Sequence, residues 1–548
     1  MSSSISSPAA APALGWWTPE TETSSPRDLP EALLHLNETV SVVAGANGPA
    51  AGVGGAISNA ASAPSTASLP LLATLPPQRL EHLGDPRICA LLDIRYPLIG
   101  GSMAKGISSE ALVEALAQAG MLGFFGAAGL SPQRVEAAID RLQATLGELP
   151  FGCNLIHSPN EPQLEADIVA LYLRKGVRLV EASAFLDLTL PIVRYRLAGI
   201  HRAADGSIVT PNRVIAKVSR EEVASKFLAP PPAKFVSALV ESGELSSEQA
   251  ELASQIPMAI AVTAEADSGG HTDNRPALAL LPTICAVRDR LQSEYGYSKM
   301  PLVGLGGGIG TPLAAAAAFA MGAAYLVTGT VNQACVESGT SDVVRQMLVE
   351  TRQADVTMAP AADMFEMGVD VQVLKRGTMF SMRASRLYEL YRQYDSIETL
   401  PASEREKLEK TLFKAPLETI WSQTRAYFLQ RDRSQVERAE RDPKHRLALV
   451  FRWYLGQSPH WANDGDPARK VDYQIWCGPA MGAFNEWTRG SFLETVEERR
   501  VATVSLNLLL GAAYVLRRFQ LQARGLDLRQ LPLQPAPLGE AWLKELLS

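Results

Sequence analysis

Between residues 96 and 330 the sequence alternates short apolar runs with amphipathic stretches, and this pattern restricts the possible folds more than any other feature. Helix-like segments such as SSEALVEALAQAG and SPQRVEAAIDRLQATLG start with serine and end near glycine. Near-continuous apolar strands joined by helices predict a parallel sheet covered on both faces. The predicted strands are YPLIGGSM (96–103), MLGFFGAA (121–128), PFGCNLIH (150–157), VRLVEASA (177–184), RVIAKVS (213–219), MAIAVTAEA (258–266), PLVGLGGGI (301–309) and AAYLVTGT (323–330).

Eight such strand–helix units predict an α/β fold of the (β/α)8 (TIM barrel) type, because their number and total length match that barrel. A doubly wound open sheet is the alternative, but it rarely needs eight consecutive crossovers. We expect the barrel to occupy residues 79–335, with a helical insertion at 220–257 after strand five, where two helical patterns flank a Pro-Pro-Pro break. Residues 336–548 are expected to form a lid segment and a mainly helical C-terminal region.

The first 78 residues are rich in Ala, Ser, Pro and Gly. Such a composition buries little apolar surface, so the sequence predicts a flexible tail there. The pair Trp16–Trp17 is the exception, and we expect it to anchor on the protein's own surface rather than to act as a docking peptide.

Composition excludes several classes of function. The chain has 548 residues, 47% hydrophobic and 20% charged, with a formal net charge of -7, which is ordinary for a soluble globular protein. No dense Lys/Arg run with interleaved aromatics occurs, so no nucleic-acid partner is expected. The five cysteines are scattered without a CxxC spacing, which suggests neither a metal site nor disulfides and favours a cytoplasmic location. The longest mostly apolar stretch, 313–327, is too short to indicate a membrane span.

In barrels of this kind the active site lies at the C-terminal ends of the strands. Gly307 and Gly308 follow strand seven, just before the helix start TPLAAAA, and Gly329 and Thr330 follow strand eight. Free backbone amides beside a helix N-terminus bind phosphate, so we predict a phosphate site here, with tight turns as the alternative. A Rossmann fingerprint is disfavoured because Ile309 stands where the spacing needs glycine.

A phosphate-bearing cofactor in a barrel without thiol or metal ligands indicates flavin mononucleotide (FMN) or pyridoxal phosphate. Pyridoxal phosphate needs a Schiff-base lysine, for which Lys217 is the candidate. Flavin needs polar groups along its ring and an apolar wall, which Gly101, Ser102, Met103, Asn154 and Lys217 supply. For Lys217 an ion pair at the strand end is an equal alternative to a contact with the ring.

Several long segments carry a family resemblance, namely YPLIGGSMAKGISSEALVEALAQAGMLGFFGAAGLSP, PFGCNLIHSPNEP, AEADSGGHTDN and LVGLGGGIGTPLAAAAAFAMGAAYLVTGT. They resemble the nitronate monooxygenase (2-nitropropane dioxygenase-like) group of FMN barrels. Three further segments are HLGDPRICALLDIRYPLIGGSMAKGI, MAPAADMFEMGVDVQVLKRGTMFSMRASRLYELY and CGPAMGAFNEWTRGSFLE. With them the chain more closely resembles the PfaD-like trans-acting enoyl reductases of polyunsaturated fatty acid and polyketide synthases, over roughly residues 78–525.

The resemblance implies an FMN-dependent reduction, in which NAD(P)H passes a hydride to FMN and FMN passes it to the β-carbon of a 2-enoyl thioester on an acyl carrier protein. His271 falls on the group's catalytic histidine. By the same analogy FMN would contact Gly101, Ser102, Met103, Asn154, Lys217, Gly270, Gly307, Gly308, Gly329 and Thr330.

Physical reasoning agrees on His271, since a histidine behind a Gly-Gly turn at a barrel mouth can exchange protons near neutral pH. Asp267 and Glu265 are candidates to orient its ring, with a solvated loop charge as the alternative for either, and a surface or helix-capping role is the alternative for the histidine itself. His157 is expected to be structural, and Cys153 to pack in the barrel wall facing away from Asn154.

The insertion and the helical C-terminal third are absent from the simple monooxygenases, which weakens the transfer of their substrate to this chain. Residues 364–380 mix methionines with Lys375 and Arg376. They form either a core segment or a lid that covers an acyl chain, with the two basic residues meeting phosphopantetheine. Two other functions stay open, a nitronate monooxygenase and a non-catalytic synthase component, and a homodimer is compatible with each of them.

Overall fold

The computed structural model describes residues 13–20, 26–157 and 162–547. Eight parallel strands close into a barrel, because the eighth strand pairs with the first, with Leu326 opposite Leu98. This confirms the predicted (β/α)8 fold. The strands are Leu98–Gly100 (β1), Leu122–Phe125 (β2), Gly152–Ile156 (β3), Leu179–Ser183 (β4), Arg213–Val218 (β5), Ala261–Glu265 (β6), Leu302–Gly306 (β7) and Leu326–Thr328 (β8).

Helices alternate with these strands, and several of them begin at a side-chain cap. The hydroxyls of Ser109, Ser131 and Thr311 each accept a hydrogen bond from a backbone N–H of the first turn. The helices are Glu110–Gln118, Pro132–Leu146, Pro162–Lys175, Leu190–Leu197, Glu221–Leu228, Ala277–Tyr295 and Pro312–Ala320, followed by Thr330–Gln333 and Asp342–Val349 after β8.

Apolar side chains fill the N-terminal end of the barrel and leave its C-terminal mouth open. Phe124, Ile215 and Tyr325 point inward and join one buried cluster with Ile88, from the short helix Arg87–Leu92. Cys153 instead belongs to the layer between strands and helices, as the period-two alternation predicts. Because this end is filled, a ligand has room only at the C-terminal mouth.

The predicted insertion is confirmed as helical. After Glu221–Leu228, the helices Ala233–Glu241 and Ser247–Ala253 stand between β5 and β6, and Ser246 begins the last of them with a capping box. A small hairpin, His201–Arg202 with Ile208–Val209, precedes β5.

Beyond the barrel the chain forms a small sheet and a second helical layer. The sheet has three strands, Gly270–His271, Asp370–Leu374 and Val356–Pro360, in that order. Among the described residues no helix has the length and apolar character needed to cross a membrane. The remaining helices are Phe380–Gln393, Ala402–Leu408, Leu417–Arg431, Arg433–Arg441, Pro443–Asp464, Ala480–Thr488, Val501–Ala523 and Glu540–Leu547.

The prediction of a flexible tail over residues 1–78 is wrong for the part that the structure describes. A helix, Leu29–Leu34, and a five-stranded sheet stand there, while residues 1–12 and 21–25 lie outside the described residues. Trp17, on one strand of this sheet, is fully buried, as the self-anchoring interpretation expects. In spatial order the strands are Gly48–Val53, Val40–Gly45, Leu69–Leu75, Gly15–Thr18 and Ala56–Ser58.

The order of this segment comes from residues at the other end of the chain. Tyr514 and Leu521, on the helix Val501–Ala523, share a buried cluster with the small apolar residues of the sheet. Arg517 on the same helix is buried and donates to the carbonyls of Leu33, His35, Glu38 and Pro76 at 3.0–3.2 Å. Local composition cannot reveal a core whose other half lies more than 400 residues away.

Candidate active site

A cavity of about 690 Å³ opens at the C-terminal mouth of the barrel, between the strand ends and the helices of the C-terminal region. The structure brings every predicted site residue to its wall, because the carboxyl ends of parallel barrel strands converge there. Those residues are Gly101, Ser102, Met103, Asn154, Lys217, Gly270, His271, Gly307, Gly308, Gly329 and Thr330.

The loops after β7 and β8 form an open cradle. Gly307 and Gly308 have left-handed backbone angles, with φ of +86° and +76°. At Gly308 and at Gly329, no heavy atom of the described chain lies within 4 Å of the place where a side-chain Cβ would stand. The next helix starts at Thr311, whose hydroxyl accepts from Ala314 N at 3.2 Å. Unobstructed amides beside a capped helix N-terminus suit an anionic phosphate group.

Buried carboxylates hold the wall of the cavity beside β1 and β5. Glu181 is fully buried, and its Oε2 accepts from the backbone N of Ser102 at 2.8 Å and also from the Ser102 hydroxyl. Lys217 Nζ lies 3.8 Å from Glu181 Oε2 and 3.5 Å from Glu265 Oε1. Burial lowers the pKa of Lys217, but Glu265 and Glu181 outweigh it, so the pKa is raised and the amine stays charged. An ammonium is poorly suited to form a Schiff base, which disfavours pyridoxal phosphate.

Asn154 lies on β3 with its side chain turned into the barrel mouth. It is 4% exposed, and its Nδ2 donates to Glu181 O at 3.1 Å and to Ser183 Oγ at 2.8 Å. These two bonds fix the amide plane, so Asn154 presents a rigid polar group to the cavity.

Gly269, two residues before His271, lets its backbone lie close to the backbone of Cys477 and Gly478. A Cβ on Gly269 would stand 2.9 Å from Cys477 N, and a Cβ on Gly478 would stand 2.8 Å from Gly269 N. Gly270 then takes φ of +82° and, with His271, pairs against Gln372 and Val371 of the small sheet. The glycines therefore seat His271 on a strand that local sequence alone would not form.

His271 carries a charged partner that sequence reasoning missed. Its Nε2 lies 3.1 Å from Asp363 Oδ1, and both side chains are about a third exposed, at 35% and 39%. Burial lowers the pKa of His271, but Asp363, assisted by Glu265, outweighs burial and Lys217, so the net shift is upward. The ring can therefore hold a proton near neutral pH.

The expectation that Asp267 or Glu265 orients the His271 ring is wrong. Asp267 Oδ1 accepts instead from Gln372 Nε2 at 2.7 Å and from Asn274 Nδ2 at 2.9 Å, while Glu265 faces Lys217.

The C-terminal helices roof the cavity with aromatic and polar side chains. Two helices, Leu417–Arg431 and Pro443–Asp464, provide most of this roof. Their lining residues include Thr424, Tyr427, Phe428, Arg431, Trp453, Gly456, Pro459 and His460.

The predicted lid segment forms part of the cavity wall, and its two basic residues do not cover the cavity. Its Val371 lines the cavity, as does Asp363 immediately before the segment, whereas Lys375 and Arg376 do not. Arg376 pairs with Asp355 at 3.6 Å.

His157 has the structural role that the sequence predicts. Its Nδ1 lies 2.8 Å from Glu165 Oε2, its ring stacks on Phe185, and it is not among the residues that line the main cavity.

Comparison with known proteins decides the family. Residues 85–383, more than half of the chain, match the nitronate monooxygenase family. The chain belongs to the nitronate monooxygenase family. This confirms the resemblance found in the sequence. Residues 394–473, which include much of the cavity roof, match a second family, the inserted helical domain of acyl-carrier-protein S-malonyltransferase.

Two similar proteins are named for fatty acid synthesis and polyketide biosynthesis. The chain is 50% identical over 448 residues to one subunit of the polyunsaturated fatty acid synthase of a Thraustochytrium species, with 80% of this chain and 30% of that protein covered. It is 44% identical over 437 residues to the polyketide biosynthesis protein PksE of Bacillus subtilis, with 80% and 57% covered. The chain thus spans less than two thirds of these curated relatives.

A solved structure aligns over its full length with this family member. It is the enoyl reductase domain of MlnA from the macrolactin biosynthesis cluster of Bacillus amyloliquefaciens. The identity is 36% and the TM-score 0.77, with 81% of this chain and 100% of that chain covered.

Sequence reasoning missed the residues that hold or face the predicted ones. Asp363 lies 92 residues after His271, and no motif spacing connects them. Glu181 lies on β4 near its end, but no spacing in the sequence connects it to the Ser102 loop that it holds. Lys105 follows the predicted Met103 by two residues, but its partner His460 comes from the distant roof.

Proposed function

We propose that this member of the nitronate monooxygenase family is an FMN-dependent enoyl reductase, which uses NAD(P)H to reduce 2-enoyl thioesters on an acyl carrier protein. The observation that carries the proposal is one cavity that joins the glycine cradle, the His271–Asp363 pair and a helical roof. Similarity to the MlnA enoyl reductase domain, whose whole length is covered, supports the same reaction.

The residues present fit FMN. The open positions at Gly308 and Gly329 leave room for the phosphate, and the Ser268 hydroxyl on the cavity wall is buried without a partner among the described residues. Bound FMN would supply a two-electron acceptor that takes a hydride from NAD(P)H and gives it to the substrate. The residues that would hold it are Gly101, Ser102, Met103, Asn154, Lys217, Gly270, Gly307, Gly308, Gly329 and Thr330.

His271 would deliver the proton that completes the reduction. Asp363 engages Nε2, so Nδ1 is the ring nitrogen available to the substrate. In the imidazolium form Nδ1–H can protonate the α-carbon of the acyl group while Nε2–H stays bonded to the carboxylate. The upward shift in the pKa of His271, caused by Asp363, favours this charged donor form.

The partner proposed here is the carrier domain of a polyunsaturated fatty acid or polyketide synthase, on which the enzyme would act in trans. Two observations support this: relatives that are synthase proteins, and a roof that matches a domain of a carrier-protein acyltransferase. A cytoplasmic location and a homodimer remain predictions.

An anaerobic mixing experiment tests the proposal. The purified protein should show a flavin spectrum that NADPH bleaches without oxygen and that a crotonyl carrier protein then restores. A nitronate monooxygenase should leave the flavin oxidised until nitronate is added. A protein that binds no flavin would support a non-catalytic synthase component and overturn the proposal.

A further inference from the structure

Lys105 reaches from the barrel to the helical roof inside the same cavity. It follows β1 in a left-handed conformation, with φ of +58°, and its backbone N donates to Ala128 O at 2.8 Å. Its Nζ donates to Gly456 O at 3.2 Å and lies 2.7 Å from His460 Nε2. All of these residues line the cavity, so the amine is fixed at its surface.

The roof turn that receives Lys105 is interrupted. Pro459 lies inside the helix Pro443–Asp464, and proline has no N–H for the carbonyl one turn earlier. Gly456, Pro459 and His460 line the cavity together. This turn therefore faces the ligand space with an altered backbone, and Lys105 is tied to it.

The hydrogen bonds leave one donor of Lys105 for a ligand. An ammonium has three N–H donors, and the contacts found among the described residues use two of them, to Gly456 O and His460 Nε2. The third N–H remains for a group inside the cavity that accepts hydrogen bonds.

Burial and nearby charges set the protonation states of Lys105 and His460. Burial and Arg431 lower the pKa of Lys105 to about 8, against Asp363, which raises it. Burial and Lys105 lower the pKa of His460, against Asp464. At neutral pH His460 is therefore an uncharged acceptor and Lys105 a cation. Since Asp363 also bonds His271, the cation and the proposed proton donor serve one cavity.

We propose that Lys105 binds the carbonyl oxygen of the acyl thioester and that His460 is its positioning residue. The inference rests on the proposed function, since it names the substrate group that this end of the cavity holds. Hydride addition to the β-carbon shifts the C=C electron pair toward the carbonyl and places negative charge on its oxygen. A fixed ammonium N–H stabilises that charge, and the pair then returns to take the proton from His271 at the α-carbon.

Chemical labelling of the full-length holoprotein tests the placement without turnover. Acetic anhydride should acetylate Lys105 with a midpoint near its pKa of about 8, well below the ~10.4 of an ordinary lysine. Butanoyl- and decanoyl-pantetheine thioesters should protect Lys105, and the matching thioethers, which lack the carbonyl, should not. Equal protection by thioether and thioester, or none by either thioester, would overturn the inference.

Variants then test the consequence for the reaction. Lys105→Met should slow reoxidation of the reduced protein by an enoyl carrier by about 100-fold, as loss of an oxyanion donor does, while bleaching by NADPH continues at the wild-type rate. Lys105→Arg, which stays charged, should restore part of the rate and remove only the part of the high-pH decline that the Lys105 pKa of about 8 contributes, while the decline that follows loss of the His271 proton stays. Lys299→Met is the matched control, because Lys299 is exposed and precedes β7 at the opposite end of the barrel.

Failure of this inference differs from failure of the proposed function. If the wild-type protein binds flavin and no enoyl thioester reoxidises it, the proposed function is wrong, and the labelling alone decides whether Lys105 meets a thioester carbonyl. If the wild type is reoxidised and Lys105→Met reacts equally fast, only the role of Lys105 is wrong.

Discussion

At the scale of single residues, the site contains two titratable side chains, His271 and Lys105, whose pKa values shift in opposite directions. His271 gains proton affinity from Asp363, and Lys105 loses it through burial and Arg431. Both shifts bring groups with ordinary pKa values of about 6.5 and 10.4 toward the range where proton transfer and oxyanion binding operate at neutral pH. The cavity is therefore matched to a reaction that develops negative charge and consumes a proton.

Removing the imidazole should separate cofactor binding from chemistry. We expect His271→Ala to keep the flavin bound and to slow the acyl half-reaction by about 10²–10⁴-fold, the usual contribution of a positioned acid. Stopped-flow absorbance of the flavin would measure both properties. Turnover at the wild-type rate would remove His271 from the mechanism.

Asp363→Asn should shift the pH dependence of the same step downward. Because Asp363 raises the pKa of His271, the variant histidine should lose its proton at a lower pH than in the wild type. The rate of the acyl half-reaction, which needs the protonated ring, should then begin to fall at that lower pH. Asp370→Asn is the control, because Asp370 is an exposed carboxyl on the same segment, and an unchanged profile in Asp363→Asn would contradict the pairing.

A methyl group in the cradle should block cofactor binding. Gly308→Ala would project a Cβ into the open space, and its left-handed φ of +76° adds backbone strain of about 1–2 kcal/mol. Gly206→Ala makes a matched control, since Gly206 has φ of +84° and equally open surroundings on an exposed hairpin. We expect Gly308→Ala alone to raise the Kd for FMN at least about tenfold in a fluorescence titration. Equal Kd values in the two variants would show that the FMN phosphate does not bind beside Gly308.

The positions of the site residues were predictable, but their partners were not. Gly101, Asn154 and Lys217 stand at the ends of locally recognisable strands, and the barrel topology alone brings such ends together. Asp363 and His460 enter the cavity from segments whose placement depends on contacts far away in the chain. No spacing in the sequence encodes those approaches.

At the scale of elements, the eight barrel strands were predictable because each carries its own apolar signal. The two-residue strand Gly270–His271 carries none and exists only through pairing with Asp370–Leu374. The close approach of Gly269 to Gly478 makes that pairing sterically feasible. The small sheet is therefore the element that converts a loop histidine into a positioned one.

A methyl group at Gly269 should displace His271 through the backbone, without contacting the histidine. In Gly269→Ala the new Cβ would lie 2.9–3.0 Å from the backbone of Cys477, which cannot rotate away. We expect a loss of about 1–3 kcal/mol in the free energy of unfolding, together with a slower acyl half-reaction. Gly539→Ala, with open surroundings, is the control, and a Gly269→Ala protein with wild-type stability and rate would contradict the account.

At the scale of the whole molecule, the two ends of the chain form one unit. The helix Val501–Ala523 packs against the barrel helix Pro312–Ala320 and also against the N-terminal helix Leu29–Leu34. Arg517 secures the second contact through carbonyls that would otherwise lack these donors. Composition predicted a tail here because Ala and Gly bury little surface each, yet a distant helix completes their core.

Arg517→Met should loosen the N-terminal sheet. Loss of the guanidinium leaves buried carbonyls unpaired, so we expect the free energy of unfolding to fall by about 3 kcal/mol and protease cleavage within residues 26–75 to accelerate. The exposed Arg529, which pairs with Asp527 among the described residues, provides the control as Arg529→Met. Equal cleavage of the two variants would show that the sheet is held by other contacts.

The most direct test of the central claim is a single turnover followed by mass spectrometry of the carrier protein. The protein is reduced with NADPH under anaerobic conditions, freed of excess nucleotide and mixed with a 2-enoyl carrier protein. We expect the acyl group to gain the mass of two hydrogens as the flavin reoxidises, and His271→Ala to slow both changes together. An acyl group of unchanged mass on reaction with the reduced wild-type protein would contradict the claim that this cavity reduces enoyl thioesters.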